Sequence, residues 1–403
     1  ELIRELQQKG VERVPIDLRK DGSVSRSWVY PAMVLNYRKE EDIVNLLQFD
    51  CNVSPTGQYF CDYLKAEAEL EYKFTSTLRR MVLGKKRIIG ILASNTGYTP
   101  RLMQEVLLEL GKRYKVITAR VDSGQAIPTT KAFLPPEQRK AIKGEGIDVL
   151  IVPQPARPFT EREKYEIDQH IMRGGRVLWV LDGSGIDHAS FQNTETGVVV
   201  SEPLQHNLDD MFLKYGFKLN KDLVQDMRAY ETVVVATHQG RPRTEFRTWP
   251  YFPMSQQLAD HITTKNINAL TFRYVSSLDT LNMERVQFTP LVRSSRFSRA
   301  LSSPVAVNFS KTINQPPPPE VFEGKGNEPL VLLAEGEFRS LYQGREVPTD
   351  ESAPNKPSAV FLANTSFPNK QMIIADGEFL LPDHLPGRDN MPFDNLPFLM
   401  NSI

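Results

Sequence analysis

The stretch PFTEREKYEIDQHIMRGGRVLWVLDGSG, Pro158 to Gly185, constrains the fold more than any other part of the chain. Thr160 followed three residues later by Glu163 forms a capping box, which sets a helix start at Thr160. Ile167 and Ile171, beside Tyr165 and Met172, place an apolar face along that helix. Gly174 and Gly175 can take up the left-handed backbone that closes a helix. Val177 to Leu181 is then a continuous apolar run, as in a strand buried on both faces. Upstream, IDVLIVPQP (Ile147 to Pro155) is a second such run. Strand, helix and strand follow one another over a length that suits a parallel crossover. The stretch is therefore one βαβ unit, and a chain built around it is α/β.

The same rhythm extends to both sides. RIIGILASN (Arg87 to Asn95) reads as a strand, TPRLMQEVLLELGKRY as a helix with Thr99 as cap and Pro100 in its first turn, and KVITARV (Lys115 to Val121) as the next strand. Together these predict a doubly wound parallel layer structure. Before it, WVYPAMVLNYRKEEDIVNLL (residues 28–47) alternates as a hairpin does, and residues 60–82 keep helical spacing over five to six turns. From about residue 207 the pattern turns β-rich, and NQPPPPEVFEGKGNEP (Asn314 to Pro329) reads as a polyproline and glycine loop. PLVLLAEGEF and QMIIADGEFLL are again buried-strand runs, expected to return to the sheet before a short C-terminal helix. Four segments follow from this: an N-terminal α+β domain over 1–83, a first core part over 84–206, a β-rich insertion with the proline loop over 207–325, and the last core strands with the helix over 326–403.

Charge and composition exclude several roles. The chain has 49 basic and 49 acidic residues among 403, so no broad basic face marks a nucleic-acid binder. No apolar run reaches the roughly 18–20 residues that cross a bilayer. ELIRELQQKGVERVPIDL reads as the end of an amphipathic helix entering a strand, without cap, initiating Met or signal peptide, which predicts a start inside a domain. Cys51 and Cys61 are the two cysteines; a disulfide and a pair of reduced thiols both fit their spacing.

The strand ends carry the candidate chemistry. SNTGY, DGSG, AEGEF and ADGEF place Ser94, Asn95, Asp182, Ser184, Glu335, Glu337, Asp376 and Glu378 where strands finish. In an open α/β sheet, ligands bind outside the carboxyl ends of the strands, so these residues are the candidates for contact with a ligand or partner. Acids followed by glycine are also ordinary turn chemistry. No phosphate-cradling glycine motif occurs, which argues against a nucleotide cofactor. Ser184 with Asp187 and His188 lacks the strand-to-helix elbow of a nucleophile, and neither cysteine belongs to the sheet region. The six histidines, at 170, 188, 206, 238, 261 and 384, show no metal spacing. No catalytic, cofactor or metal residue is expected.

Pro158 to Asp182 also resembles the K-P-F-S/T-E-x-E-K-Y-x-I-D-Q-x-I-M-R-G-G-K/R-V-L-W pattern of the GldG family, auxiliary components of ABC-type transport systems associated with bacterial gliding motility. YPAMVLNY, LEYKFTSTLRRM, NLDDMFLKYGFKLNKDLVQD, WPYFP, FRYVSSLDTL, LLAEGEFRSLY and MIIADGEF match in the same order. The resemblance implies a Rossmann-like GIFT domain, distantly similar to class I amidotransferases and shared with an intraflagellar transport protein. It implies a non-enzymatic periplasmic domain at the bacterial inner membrane, anchored by transmembrane segments absent from this sequence. Its partners would be a permease and an ATPase, with a homo-oligomer as a further expectation. A periplasmic sugar- or peptide-binding receptor is the alternative. Where the family often has a His-Gly-Glu-like turn after the first core strand, this chain has SNTGY, so no role of that His carries over.

Overall fold

The computed structural model describes residues 11, 13–20, 23–38, 40–47, 51–53, 59–61, 63–83, 87–122, 127–128, 146–238, 241–348, 361–365, 367–385 and 391–403. Two compact units divide the chain, Glu1–Lys86 and Arg87–Ile403. The helix end read at residues 1–10 lies outside the described residues.

The first unit is built of short hairpins and one long helix. Val14–Lys20 pairs antiparallel with Ser23–Val29, and Ala32–Tyr37 with Glu40–Asn45. Arg38, at φ +57°, makes the tight turn between the last two. The helix Tyr63–Leu83 has 21 residues and buries Ala66, Thr77 and Met81. Its Lys73 Nζ donates to Leu46 O, just beyond the second hairpin. Cys51 and Cys61 are direct cross-strand partners on a third, three-residue hairpin. Cys61 is disulfide-bonded, and no cysteine among the described residues is free.

The second unit is organised by an eight-stranded sheet. In chain order its elements are β1 (Ile88–Leu92), α1 (Gln104–Arg113), β2 (Lys115–Ala119), β3 (Val149–Pro153), α2 (Glu161–Met172), β4 (Arg176–Val180), α3 (Asp209–Tyr215), β5 (Gln257–Leu258), β6 (Val286–Arg293), β7 (Pro329–Gly336), β8 (Asn369–Ile374) and α4 (Asn395–Ser402). Across the sheet the order is β5-β6-β7-β8-β4-β3-β1-β2. From β2 to β8 the five strands are parallel; β7, β6 and β5 continue the sheet antiparallel.

The sheet is thus mixed, where the sequence pattern predicted a parallel one. The strands β5 and β6, read as part of a β-rich insertion, are members of this same sheet. Elsewhere the 207–325 region is β-rich, including the long hairpin Ala229–His238 with Arg241–Ser255, which supplies Trp249, Tyr251 and Phe252 to a second, aromatic core.

The opening βαβ unit forms β3, α2 and β4. Thr160 Oγ1 accepts from the Glu163 N–H at 3.2 Å and Glu163 Oε2 accepts from the Thr160 N–H at 2.9 Å, so the capping box is closed in both directions. The two glycines at the far end do different work. Gly174 has φ +90°, a conformation open to glycine, whereas a Cβ on Gly175 would overlap the buried His170 ring.

The helix α2 departs from the amphipathic reading, because every residue from Glu163 to Met172 is buried. Its polar residues face protein. Asp168 accepts from Tyr215 Oη, Ser340 Oγ and the Leu341 N–H at 2.7–2.8 Å. Gln169 binds Leu362 through both its amide groups, and Lys164 Nζ pairs with Asp210 at 2.7 Å. The segment after β7 and the helix α3 therefore dock on the polar side of α2.

Candidate functional site

Reading outward from β1, the chain turns to β2 on one side and then places β3 on the other. The reversal opens a crevice at the carboxyl ends of β1 and β3, the position where α/β sheets bind ligands. Ala93–Tyr98 follows β1, Gln154–Arg157 follows β3, Leu181–Gly185 follows β4 and Ala375–Phe379 follows β8, so four parallel strand ends meet along one edge.

Two buried carboxylic acids lie at the centre of this edge. Asp182 Oδ2 accepts from Gln154 Nε2 at 2.8 Å and its Oδ1 from the Gly377 N–H at 2.7 Å. Asp376 accepts from the backbone N–H groups of Arg273 at 2.7 Å and Glu378 at 2.8 Å. Arg273 Nη1 lies 3.2 Å from Glu378. Burial pushes both aspartates well above the ordinary carboxylate range, and their mutual repulsion raises Asp182 further. The neighbouring Tyr98 phenol is pushed up as well, by burial and then by the charges of Asp182, Asp376 and Glu378. Burial therefore favours the protonated, neutral form of the two aspartates.

Backbone geometry at the crevice is tight. Gln154 sits at φ +24°, a strained conformation for a side chain with a Cβ, and its carbonyl accepts from the Gly97 N–H at 2.9 Å. A Cβ on Gly377 would overlap the Gln154 side-chain amide and approach Asp182 Oδ2 to 2.6 Å, so the ADGEF turn packs closely against both side chains. Tyr98 Oη and Gln154 Oε1 are buried without a hydrogen-bond partner.

The structure separates the sequence-predicted residues into three groups. Asp182, Asp376 and Glu378 come together as described. Ser94, Asn95 and Ser184 are at the same edge but hold the framework: Ser94 Oγ accepts from the Val121 N–H at 3.0 Å, Asn95 bridges both backbone groups of Arg157, and Ser184 accepts from Ser303 Oγ at 2.7 Å. Glu335 and Glu337 do not join them. Because β7 runs antiparallel, its last residues fall at the opposite edge, where Glu335 pairs with Lys370 at 2.5 Å and Glu337 with Arg285 at 3.0 Å.

The Ser184, Asp187 and His188 arrangement is not a relay. Asp187 accepts from the Ala189 N–H and Ser190 Oγ, and His188 Nδ1 lies 2.6 Å from Tyr274 Oη within the aromatic core. Among the described residues no three His, Cys, Asp or Glu side chains are arranged to hold a metal ion. Gln154, Tyr98 and Arg273 are the crevice residues that the sequence pattern did not select. The signal for Gln154 was a polar residue between Pro153 and Pro155 at a buried strand end; Arg273 lies far away in sequence and carried none.

Comparison with known proteins gives three findings. A family model described as an ABC-type uncharacterized transport system (auxiliary) matches residues 86–402. An uncharacterized protein of Borreliella burgdorferi (strain ATCC 35210 / DSM 4680 / CIP 102532 / B31) is 22% identical over 341 residues, which is 84% of this chain and 59% of that protein. The chain thus spans less than two thirds of this relative. A solved structure titled mmIFT52 N-terminal domain aligns over 78% of this chain and 97% of its own, at 13% identity and a TM-score of 0.39.

Proposed function

We infer the function from one premise: the chain belongs to the auxiliary family of ABC-type uncharacterized transport systems, matched over residues 86–402. We propose that within such a system it is a non-enzymatic, membrane-anchored domain on the periplasmic side of the bacterial inner membrane, linked to gliding motility. It would act by protein–protein contact with the permease and ATPase. The observation that carries this reading is the way the strand-end side chains are used. Asp182, Asp376, Ser94, Asn95 and Ser184 are committed to internal hydrogen bonds, which builds a rigid edge and leaves no activated nucleophile among them. The disulfide at Cys61 supports an oxidising compartment. Among the described residues no helix is long and apolar enough to cross a membrane, so in this reading the anchor belongs to other parts of the protein.

The test is affinity capture of the full-length protein from its native membranes in mild detergent. Recovery of a permease and an ATPase is the expected result. A Trp179→Asp variant is the control, since Trp179 is fully buried in β4 and its Nε1 donates to Gln371 Oε1 at 3.1 Å; it should lose both partners. Recovery of the folded protein alone would overturn the reading.

A second reading, a periplasmic receptor for a sugar or peptide, is favoured by one observation. Tyr98 Oη and Gln154 Oε1 are unpartnered at the switch point of the sheet, where a polar ligand could engage them after a small opening. A ligand at about 100 times its Kd adds roughly 2.7 kcal/mol of stability. A thermal-shift screen at millimolar sugar and peptide concentrations that finds no stabilisation would count against it.

A further inference from the structure

The opposite edge of the sheet, where β4 and β8 begin, contains a partly enclosed cleft of about 40 Å³ lined by Arg173, Arg176, Phe367 and Asn369 among others. Arg173 is 5% exposed, yet its buried Nη2 has no hydrogen-bond partner. A buried guanidinium normally satisfies its donors, because a charged donor taken out of water without a partner is costly.

Most acceptors near Arg173 are occupied, although the Tyr165 hydroxyl that acts on its charge also lacks a hydrogen-bond partner. The carbonyls at the end of α2 are taken: Gln169 O by the Arg173 N–H, Ile171 O by the Gly174 N–H and by Asn369 Nδ2, and Gly175 O by the same Asn369 amide. Glu166 is ion-paired with Arg162, so one buried carboxylate faces two guanidinium groups. Asp168 is saturated by Tyr215, Ser340, Leu341 and Gln169. Arg176 adds a second positive charge to the same cleft. The two acids whose charges act on Arg176 also have other partners, since Asp148 Oδ2 accepts from the Ile88 N–H and Glu335 pairs with Lys370. The cleft is thus lined by two guanidinium groups, and one of them has a buried donor, Arg173 Nη2, without a hydrogen-bond partner. At its mouth Phe367 is 57% exposed, an apolar rim beside the charged floor.

We propose that this cleft binds an oxyanion group, phosphate or carboxylate, held by the guanidinium groups of Arg173 and Arg176, with the apolar body that carries it resting on Phe367. The planar Arg donor fork matches the oxygens of either group, and the volume suits a head of few heavy atoms. The site is independent of the strand-end crevice and of the transport-system reading, so either stands if the other fails.

The experiment uses the whole 403-residue chain in two arms. In the first, inorganic phosphate or acetate is titrated against potassium chloride of equal ionic strength, while thermal unfolding and the amide resonances of Gly174 and Asn369 are followed. In the second, the chain is sedimented with phosphatidylcholine vesicles with and without phosphatidylglycerol. A saturable rise in Tm with shifts confined to the cleft identifies a free anion; binding only to the phosphatidylglycerol vesicles identifies a lipid headgroup. Either supports the site, provided that Arg176→Gln, a half-buried position that should fold, weakens it at least about tenfold. Arg173→Gln should abolish it; should that variant not fold, Arg176→Gln and the resonances decide. Absence of response in both arms, or binding undiminished in Arg176→Gln with shifts outside the cleft, overturns the proposal.

Discussion

At the scale of single residues, the glycines at strand and helix ends are where sequence and geometry meet most tightly. Gly183 follows Asp182, and a Cβ there would overlap the Asn220 carbonyl oxygen and approach Ser276 Oγ to 2.8 Å. The first obstacle is backbone, fixed by the Asn220 N–H donating to Ser277 O at 3.0 Å, so it cannot rotate away as a side chain would. Gly183→Ala should therefore destabilise the protein by about 3 kcal/mol or more. Gly111→Ala, on the open side of α1 with nothing near its Cβ, should instead be neutral or stabilise by up to about 1 kcal/mol. Urea denaturation of the two variants checks the contrast; equal midpoints would remove the argument from close approach. The sequence marked DGSG and ADGEF as turns, but it could not show that these glycines make room for Asn220 and Gln154, because those neighbours come from other strands.

At the scale of elements, local signals were legible wherever the cause was local. The capping box at Thr160 and Glu163 is present atom for atom, and Arg157 braces its acid with Nη1 2.9 Å from Glu163 Oε2. Thr160→Ala removes one side of the box and should cost about 1 kcal/mol. Glu163→Ala should cost more, since it also leaves Arg157 without its partner, although Arg157 is half exposed and water compensates part of the loss. The check is thermal unfolding of both variants, and an order of effects reversed from this one would show that the cap acts differently. The burial of α2 from Glu163 onward was not legible. Its polar side is buried because α3 and the segment after β7 cover it, Asp210 meeting Lys164, and Ser340, Leu341 and Leu362 meeting Asp168 and Gln169. The directions of β7 and β8 were equally hidden. PLVLLAEGEF and QMIIADGEF are nearly the same pattern, and an apolar run buried on both faces carries no mark of its direction. Direction is set by the connections, and with it went the placement of Glu335 and Glu337.

At the scale of the whole molecule, the buried titratable groups divide into two opposing sets. Asp168, Asp182, Asp222, Asp226 and Asp376 are all raised, chiefly by burial, with Asp376 pushed up to about 7. A raised acid holds its proton longer in the folded than in the unfolded chain, so the stability it contributes is complete below the unfolded value and is lost as pH rises through the folded one. Buried His170 and half-buried His384 are lowered, to about 3 and about 4, again by burial first. They act with the opposite sign: their contribution is present above the unfolded histidine value and is lost as pH falls toward the folded one. The two sets oppose each other between about pH 4 and 7, so the dependence of the parent protein there is smaller than either set alone would give. Asp182→Asn unmasks the balance. The Asn oxygen can still accept from the Gly377 N–H, and its amide can donate to Gln154, whose Oε1 is unpartnered and whose amide can turn to receive it. The variant keeps the packing and loses the titration. Relative to the parent, its stability should therefore rise as pH goes from 4 to 8. Urea denaturation across that range measures the difference. A difference constant with pH would mean that Asp182 titrates alike in the folded and unfolded chain, and that the strand-end acids are charged and solvated in place of the neutral, buried pair described above.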